Sequence, residues 1–539
     1  GCLSHTNSFP SHKKENKMNK IASRLLTIML AMVLFLTACA QATQTPSPTF
    51  SANATSQPKS GGTLIVAVSE DMKGLDPQMP KAASTFLILG MLYDPLFTFD
   101  KDMNVIGNLA ESWKFSDDAK TLTITLRKRV KFHDSSSLTS LDVKASIERI
   151  LDEKTGASAR SSLSSITSID TPDEFTVVLN LKAPNAALPT ALTALGTSIM
   201  SKTWLDSGKD PSKEVNGTGA FKLANWETDK VIQLVKNKDF WLAGKPYLDG
   251  IEFRIIPDES SIVAALRAKQ VDFSVIGDPR IGLQISRDTE LQTWKSATLN
   301  FNVLQLNADK DVFKDVRVRQ AISCAIDRQE VLDTASLGDG KVTSPATAPF
   351  FAAPLDTLFC YKKDETKAKS LLVEAGSPTL KFTAMVTTGE SPVAVNQAQN
   401  IQAQLKKVGI EMEIEILELQ VYVDRWLAGD FEAVIAYNGA SPDADVTFYR
   451  YWHSTGNLNL VAGWRNPEMD KMLDEARAIP DPEQRKLLYY EIQVKLTEAA
   501  PWVWLYTGYN YQVGQTFVKG FTPLSDSSII YLRETWLDK

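Results

Sequence analysis

The sequence has 539 residues, of which 43% are hydrophobic and 23% charged, with four cysteines, four histidines and a formal net charge of −6. At roughly 150 residues per domain, this length predicts about three globular units. The near-average composition argues against a disordered, collagen-like or disulfide-stapled chain. Mild acidity argues against nucleic acid as a partner, because phosphate binding requires a basic face. Histidine and cysteine are so scarce that we predict no metal site and no cofactor.

The N-terminal segment has the pattern of a secretion signal. An apolar run at residues 25–36 follows the basic residues Lys20 and Arg24. As a helix it would span about 18 Å, which is too short for the roughly 30 Å hydrocarbon core of a membrane. The run therefore predicts a secretory signal and not a transmembrane anchor.

The apolar run ends in Leu36-Thr37-Ala38-Cys39, which resembles the lipobox of bacterial lipoproteins. That resemblance implies cleavage before Cys39 and lipidation of this cysteine, and several acyl chains would anchor the protein durably. The alternative is an ordinary signal peptide with an incidental cysteine. Cleavage would leave 53 basic and 63 acidic residues, a net charge of −10.

The regions around this signal are assigned by composition. Met18 is a better start than Gly1, so we interpret residues 1–17 as an upstream extension and residues 18–38 as the signal peptide. Residues 39–60 are rich in Thr, Ser, Gln and Pro and predict a flexible tether. The folded part then begins near Gly61.

From Thr63 onward strands and helices alternate, which indicates several α/β sheets and not a barrel or a bundle. The predicted strands cover residues 64–68, 121–126, 175–181, 231–235, 251–256 and 411–416. The first is a continuous apolar run, typical of a strand covered on both faces, whereas 411–416 alternates charge with bulk and predicts one solvated face. Predicted helices cover 141–151, 316–326 and 394–408, and two more begin at Asn466-Pro467 and Asp481-Pro482, where an N-cap precedes a proline.

An ordered set of motifs resembles the family 5 extracellular solute-binding proteins of ABC importers, the peptide- and nickel-binding group. The motifs are, in chain order, Gly61-Gly62-Thr63-Leu64, Leu75-Asp76-Pro77-Gln78, Tyr93-Asp94-Pro95-Leu96-Phe97, Leu109-Ala110-Glu111-Ser112-Trp113, Val130-Lys131-Phe132-His133-Asp134, Gly217-Thr218-Gly219-Ala220-Phe221, Pro246-Tyr247-Leu248-Asp249, Asp315-Val316-Arg317-Val318-Arg319-Gln320-Ala321, Ala325-Ile326-Asp327-Arg328 and Asn466-Pro467-Glu468-Met469-Asp470. At Ala220 the family usually has proline.

The resemblance implies an α/β, two-lobed periplasmic-binding-protein-like (type II) fold with an extra domain inserted in the first lobe. Transferred to this chain, the first lobe covers 61–85, 196–296 and 505–539. The inserted domain covers 86–195 and the second lobe 297–504. This division agrees with the three units expected from length.

Peptide-binding members of the family hold the ligand's α-amine with an aspartate in a Gly-x-x-x-Asp stretch. The match here runs from Gly439 through Ser441 to Asp443. A carboxylate in a closing cleft is a natural counter-ion for an ammonium group, and closure strengthens the pairing by removing water. The alternative for Asp443 is a turn former, because Pro442 precedes it.

The same loop contains a second candidate carboxylate. Many relatives have Asp-Pro-Asp where this chain has Asp443-Ala444-Asp445, so Asp445 competes for the ligand-binding role. Residues 79–86, including Met79 and Ser84, follow the Leu-Asp-Pro motif and are expected to line the cleft from the first lobe. Tyr437 and Trp464 are the second-lobe candidates, with core packing as the alternative.

The remaining histidines and cysteines predict mainly structural roles. His133 lies in a motif of the inserted domain and is interpreted as structural, whereas His453 lies nearer the cleft but is given a surface role. Cys324 falls on an apolar-patterned helix and is predicted to be buried. A disulfide between Cys324 and Cys360 cannot be inferred from the sequence.

No enzyme signature is present: the chain has no Gly-x-Ser-x-Gly, no His-Glu-x-x-His and no phosphate-binding loop. We therefore predict a lipid-anchored, monomeric binding protein that captures a peptide-like solute by hinge closure and delivers it to an ABC permease and its ATPase. The alternatives are another solute (a nickel chelate, a glycan or an opine-like compound), a secreted lipoprotein hydrolase, and a sensory receptor for a membrane kinase.

Overall fold

The computed structural model describes residues 57–79, 83–157, 159–389 and 391–539. The predicted signal peptide and the predicted lipidation site at Cys39 lie outside these residues. None of the helices in the described ranges combines the length and the apolar character that a membrane crossing requires.

The strands of the described ranges are numbered β1 to β21 in chain order. They are β1 Thr63–Val68, β2 Phe97–Phe99, β3 Val105–Gly107, β4 Ala110–Phe115, β5 Thr121–Leu126, β6 Ile166–Asp173, β7 Thr176–Leu181, β8 Phe221–Glu227, β9 Val231–Lys236, β10 Gly250–Ile255, β11 Phe273–Ile276, β12 Leu291–Ala297, β13 Phe301–Leu306, β14 Lys341–Val342, β15 Leu380–Val386, β16 Ile410–Ile416, β17 Ala433–Asn438, β18 Trp502–Thr507, β19 Tyr509–Gln515, β20 Val518–Lys519 and β21 Trp536–Leu537.

The α-helices of the same ranges are numbered α1 to α15. They are α1 Ala83–Leu89, α2 Ser140–Leu151, α3 Leu188–Ala191, α4 Lys202–Asp206, α5 Glu259–Arg267, α6 Pro279–Ile285, α7 Val316–Ala325, α8 Arg328–Ser336, α9 Glu365–Glu374, α10 Ala394–Lys406, α11 Leu419–Leu427, α12 Ala444–Trp452, α13 Asn459–Ala462, α14 Pro467–Arg477 and α15 Pro482–Ala499.

The first large sheet has seven strands in the order β12-β19-β11-β1-β10-β9-β8. Its strand β1 runs parallel to β10 and β11, and both of its faces are covered. Leu64 and Val66 pack on one face against Phe253, whereas Ala67 packs on the other against Leu266. The continuous apolar run of β1 is explained by this double coverage, as predicted.

The second large sheet has six strands in the order β14-β18-β13-β17-β15-β16. All six residues of β13 are buried, because helices cover both faces. Leu304 and Leu306 belong to the core formed with α7 and α10, and Phe301 and Val303 to the core formed with α12, α14 and α15.

At the edge of this sheet, β16 confirms the predicted alternation. Ile410 and Met412 are buried, whereas Glu411 and Glu413 are exposed and both approach Lys381, at 3.4 and 2.7 Å. A charged row on an edge strand discourages pairing with other chains.

A smaller antiparallel sheet has the order β4-β5-β7-β6 and packs against α2. In β5 the residues Leu122, Ile124 and Leu126 are buried while the threonines between them are partly exposed, as the alternation predicts. Met103 and Phe99, which lie near this sheet in sequence, pack against Leu299 and Ala348 in a separate small core.

The predicted helix starts are confirmed in atomic detail. The Asn466 side chain accepts hydrogen bonds from the backbone N–H groups of Glu468 and Met469, and the Asp481 side chain accepts one from Gln484. In both helices proline occupies the first turn. These local signals work because an N-cap satisfies donors that the helix itself leaves unpaired.

The predicted boundaries of the lobes remain a prediction, with one strand to correct. β18 pairs with β13 over residues 502–506 and with β14 through Thr507, so this strand belongs to the six-stranded sheet beyond residue 504. Any boundary between the lobes near this point must follow Thr507.

Two chain segments connect the two large sheets. One runs from Ala297 at the end of β12 to Phe301 in β13, and the other from Thr507 in β18 to Tyr509 in β19. They are bonded to each other: Thr298 N–H donates to the Gly508 carbonyl at 3.0 Å, and the Thr507 hydroxyl lies 2.6 Å from the Thr298 carbonyl oxygen. The two large sheets are thus joined by two short connections that are bonded to each other.

A disulfide joins Cys324, which is fully buried in α7, to Cys360, with Cα atoms 4.8 Å apart. The burial of Cys324 is as predicted. The pairing, which the sequence left open, is defined by the packing of the segment after β14 against α7 and α8.

Candidate ligand-binding cleft

A cavity of about 1070 Å³ opens beside the paired connections. One wall comes from α1, from the segment 161–165, from 182–195 and from the loop 524–530, and the opposite wall from 298–300, from 437–457 and from Arg477. The cleft is therefore built jointly by the two large sheets and the smaller domain.

The walls carry many groups that hydrogen-bond without charge. Serine, threonine and asparagine side chains line both sides: Thr98, Ser161, Ser162, Ser164, Ser165, Asn185, Thr190, Thr193, Thr298, Asn300, Ser441, Thr455, Asn457, Asn510, Ser525, Ser527 and Ser528. Aromatic surface is supplied by Phe86, which is 46% exposed, with Phe99, Tyr437 and Tyr449. Such a lining suits a ligand that presents amide or hydroxyl groups together with apolar parts.

Contacts already cross the cleft between its walls. The Ala186 backbone N–H donates to the Arg477 carbonyl at 3.0 Å, and the Thr190 hydroxyl lies 3.4 Å from an oxygen of Asp443. The two walls are thus in direct contact at one end of the cavity.

Asp443 is placed at this contact but is not free. Its side chain is buried, caps α12 by accepting from the Asp445 N–H at 2.9 Å, and pairs with Arg485 at 2.5 Å. Arg485 is itself only 6% exposed. The predicted turn-forming role of Asp443 is therefore present as an N-cap, and its charge is balanced within the protein.

Asp445 lies at the cavity wall and is also neutralised. Arg477 reaches both of its oxygens, the closest approach being 2.8 Å, and the Tyr489 hydroxyl donates to it at 3.2 Å. Burial, and then the nearby negative charge of Asp445, raise the pKa of Tyr489 well above its ordinary value, so this phenol is a stable donor. The two candidate aspartates thus form a compact group with two arginines.

Three further candidates come from the same loop and strand. Ser441 and Tyr437 line the cavity. Gly439 is exposed beside them but is not part of the lining. Ser441 also accepts a hydrogen bond from the Asp443 N–H at 3.3 Å, which fixes the turn.

Three other predicted positions are corrected by the structure. Met79 is outside the cavity lining, and Ser84 is 5% exposed and donates its hydroxyl to the Asp71 carbonyl at 2.8 Å. From the segment 79–86 only Phe86 reaches the cavity among the described residues, because α1 turns its other side to the core. Trp464 lines a separate cavity of about 270 Å³ and packs on Trp452.

The histidine near the cleft, His453, has a structural role. His453, predicted at the surface, is 7% exposed and stacks on Tyr449 with ring centroids 4.1 Å apart. Its Nδ1 pairs with the Thr455 hydroxyl at 2.7 Å. Among the described residues no cluster of three or more His, Cys, Asp or Glu side chains could hold a metal ion.

Sequence reasoning missed four charged residues of the cavity, namely Lys182, Arg450, Arg477 and Asp526. Asp526 lies in the loop after Phe521 and Arg450 in the last turn of α12, and both line the cavity. Neither forms an ion pair with any residue in the described ranges. The only sequence signal was the turn-forming run Ser525-Asp526-Ser527-Ser528, which gives no indication of charge pairing.

The relationship of the chain to known proteins follows from this architecture. Residues 104–459 match the family model described as "Bacterial extracellular solute-binding proteins, family 5 Middle", which is more than half of the chain. The chain belongs to this family. It is a bacterial extracellular solute-binding protein.

Three relatives of this solute-binding protein carry names that describe their ligands. The oligopeptide-binding protein AppA of Bacillus subtilis (strain 168) is 28% identical over 97% of this chain and 100% of its own length. Its structure with a nonapeptide aligns with a TM-score of 0.66 and 27% identity, over 90% of this chain and 100% of that one.

The glutathione-binding protein GsiB of Salmonella choleraesuis (strain SC-B67) is 27% identical over 82% of this chain and 88% of its own. The binding protein AgaA from A. tumefacien R10, solved with agropinic acid, is 29% identical with a TM-score of 0.66, over 89% of this chain and 99% of that one. The two-lobed fold of this family agrees with the two large sheets and the paired connections of this chain.

Proposed function

We propose that this solute-binding protein captures a peptide-like solute between its two lobes and delivers it to the permease of an ABC importer. The observation that carries the proposal is a large cleft whose opposite walls come from two sheets joined by paired short connections. A ligand that touches both walls favours the closed arrangement over the open one, and a permease can recognise the closed form.

The size of the cleft favours a ligand larger than a single amino acid or ion. At about 1070 Å³ its volume lies just above the range of small-molecule sites, about 300–1,000 Å³. Its hydroxyl and amide groups match the N–H and C=O groups of a peptide backbone. The ligand names of AppA and GsiB, oligopeptide and glutathione, support the same class.

A second candidate ligand is a small non-peptide acid. The agropinic acid bound by AgaA supports it, and so do the cations Arg450 and Lys182 in the cleft. Other non-peptide solutes of the same fold, namely a nickel chelate, a glycan or an opine-like compound, are further alternatives.

The anchoring of the protein is a separate proposal. Lipidation of Cys39 would hold the binding protein at the outer side of the cell membrane, as a monomer beside its permease. Metabolic labelling with a fatty-acid analogue tests it: label is expected in the wild type and absent from Cys39→Ser. Label that survives this substitution would contradict the proposal.

Native mass spectrometry of the purified protein tests the ligand class. We expect a co-purified species or an added short peptide to bind one to one and to be released unchanged. An intact non-peptide metabolite would replace the peptide assignment. Steady conversion of the bound species into products would instead support the hydrolase alternative.

A further inference from the structure

We propose that the cleft selects a zwitterion, binding a ligand ammonium group at Asp526 and a ligand carboxylate at Arg450. The inference rests on the proposed function and names the residues that carry its specificity. It assigns the amine to the first-lobe wall and not to Asp443, whose charge is already used inside the protein.

Two charged residues of the cavity are paired with each other, and three have no ion-pair partner among the described residues. Asp445 and Arg477 neutralise each other at 2.8 Å. Asp526, Arg450 and Lys182 also line the cavity and have no ion-pair partner within the part of the chain that the structure describes. Only these three can contribute a net charge interaction to a ligand.

Asp526 is held in position before any ligand arrives. Its loop is fixed to the first sheet, because Asn510 donates to the Ser525 carbonyl at 2.9 Å and the Ser296 hydroxyl donates to the Leu524 carbonyl at 3.0 Å. One carboxylate oxygen accepts the Ser528 N–H at 2.9 Å. The other oxygen has no hydrogen-bond donor in the described ranges and is available to a ligand.

The surroundings of Asp526 make an ammonium partner favourable. The side chain is exposed to the cavity, yet the walls remove much of the surrounding water, and this desolvation raises the pKa of the carboxyl above its ordinary range. A desolvated carboxylate without a cation gains most from a charge-assisted hydrogen bond.

Arg450 is the matching group on the opposite wall. Its Nε is buried and has no acceptor among the described residues, and one Nη donates to the Tyr451 hydroxyl at 3.3 Å. A buried N–H without an acceptor is costly, so an anion that satisfies it binds with advantage. Lys182 also lines the cavity, but it is exposed to solvent, so an anion gains less by binding to it.

Because Asp526 and Arg450 belong to opposite walls, a zwitterion joins them. One end of the ligand is bound by the first lobe and the other by the second, and both interactions form only when the walls approach. Charge recognition and closure are then the same event.

The test compares three matched libraries of tri- to pentapeptides by native mass spectrometry and calorimetry on the purified full chain. One library has free termini, one is N-acetylated and one is C-amidated. The wild type is expected to prefer free termini over either capped form by roughly ten- to hundredfold, the range for hydrogen bonds to charged groups.

Two substitutions assign each preference to a residue. Asp526→Asn keeps the acceptor for Ser528 and is expected to abolish the preference for a free amine while keeping that for a free carboxylate. Arg450→Gln is expected to do the reverse, and Arg450→Lys to restore part of the carboxylate preference. The control Asp356→Asn, at an exposed site outside the cavity lining, is expected to leave both preferences intact.

The outcomes separate the two levels of the proposal. If peptides bind but Asp526→Asn and Arg450→Gln discriminate termini as the wild type does, the charge assignment is wrong and the peptide-binding function stands. If none of the libraries binds to the wild type, both the peptide function and the zwitterion assignment are overturned.

Discussion

The ionisable residues of the cleft differ in what their charges already do. Asp443 and Asp445 serve the protein, as an N-cap and as partners of Arg485 and Arg477, whereas Asp526 has no such partner among the described residues. A carboxylate that is already paired internally must lose that partner before it can take a ligand amine. The distinction between paired and unpaired charge therefore separates a structural aspartate from a ligand-binding one.

Asp443→Ala is expected to destabilise the fold by about 3–5 kcal/mol, because it leaves the buried Arg485 without its carboxylate. Urea unfolding measures this loss. Asp309→Asn, which breaks an exposed ion pair with Arg465, is the control and should cost less than about 1 kcal/mol. If Asp443→Ala instead unfolds like the wild type but loses its preference for free amines, Asp443 is the amine anchor.

Asp526→Asn is expected to raise the unfolding temperature at neutral pH while it weakens peptide binding. Desolvation by the cavity walls raises the pKa of this carboxyl in the folded state, so ionisation above that pKa costs stability that the amide does not lose. Below the ordinary pKa of an aspartate both proteins carry a neutral side chain, and their unfolding temperatures should converge. Scanning calorimetry at pH 7 and pH 3 decides; equal stability at both values would contradict a desolvated, unpaired carboxylate.

His133 predicts a loss of stability in mild acid. Burial is the main cause that lowers the pKa of its imidazole from the ordinary 6.5 to about 4; the hydrogen bond to Gly219 opposes this shift, and Lys222 adds to it. Its Nε2 lies 3.2 Å from the Gly219 carbonyl oxygen, so the neutral ring donates there. The stability contribution is complete above pH 6.5 and falls as pH drops toward 4, because the unfolded chain takes up the proton first.

The loss through His133 amounts to up to about 3 kcal/mol. His133→Gln supplies an amide N–H at a similar place and does not titrate. The unfolding free energy should therefore fall less between pH 7 and pH 4 in the variant than in the wild type. Parallel curves would show that the pKa of this imidazole does not differ between the folded and the unfolded protein.

At the scale of elements, the sequence predicted what depends on neighbours along the chain. The caps at Asn466 and Asp481, the doubly covered strand β1 and the alternation of β16 all follow from patterns within a few residues. Such patterns are set by backbone donors and by which face is buried, so they can be interpreted without the fold.

The site was less predictable because it depends on residues distant in the chain. Asp443 is neutralised by a residue 42 positions away, and Asp445 by Arg477, which is 32 positions away. Motif matching found the loop of Asp443, Ser441 and Tyr437 but could not show which charges are paired. Ser84 and Trp464 were misplaced because the face that a helix or loop turns to the cleft is decided by packing.

The disulfide is a further element-scale feature, joining α7 to the segment before α9. The two cysteines are 36 positions apart, and a link across such a loop restricts the unfolded chain by about 4 kcal/mol. The double variant Cys324→Ala with Cys360→Ala is expected to lose about this much in urea unfolding. The wild type unfolded and refolded with reductant should match the variant; a double variant as stable as the oxidised wild type would contradict the role.

For the whole molecule, one carboxylate links the two large sheets beside the paired connections and so restrains the angle between them. Asp339, in the second lobe, accepts the Tyr511 hydroxyl at 2.6 Å and the Lys295 ammonium at 2.7 Å, both from the seven-stranded sheet. Burial, and then the hydrogen bond to Asp339, raise the pKa of Tyr511, which keeps it a donor.

Asp339→Asn is expected to favour more open arrangements, because the bonds that hold this angle weaken. Small-angle scattering of the unliganded variant should give a larger radius of gyration than the wild type. Affinity should fall by roughly fivefold or more for free and capped peptides alike, as for a residue that acts on closure and does not touch the ligand. Asp309→Asn is the matched control, and an unchanged radius with unchanged affinity would contradict the role.

The strand order of the first sheet also governs when this lobe can be completed. β19, formed by residues 509–515, lies between β11 and β12, which do not pair with each other. The facing edges of those two strands therefore stay unpaired until a segment that follows the entire second lobe in the chain has been made. A chain truncated before Tyr509 would expose both strand edges, so the first lobe completes its sheet only after the second lobe has been synthesised.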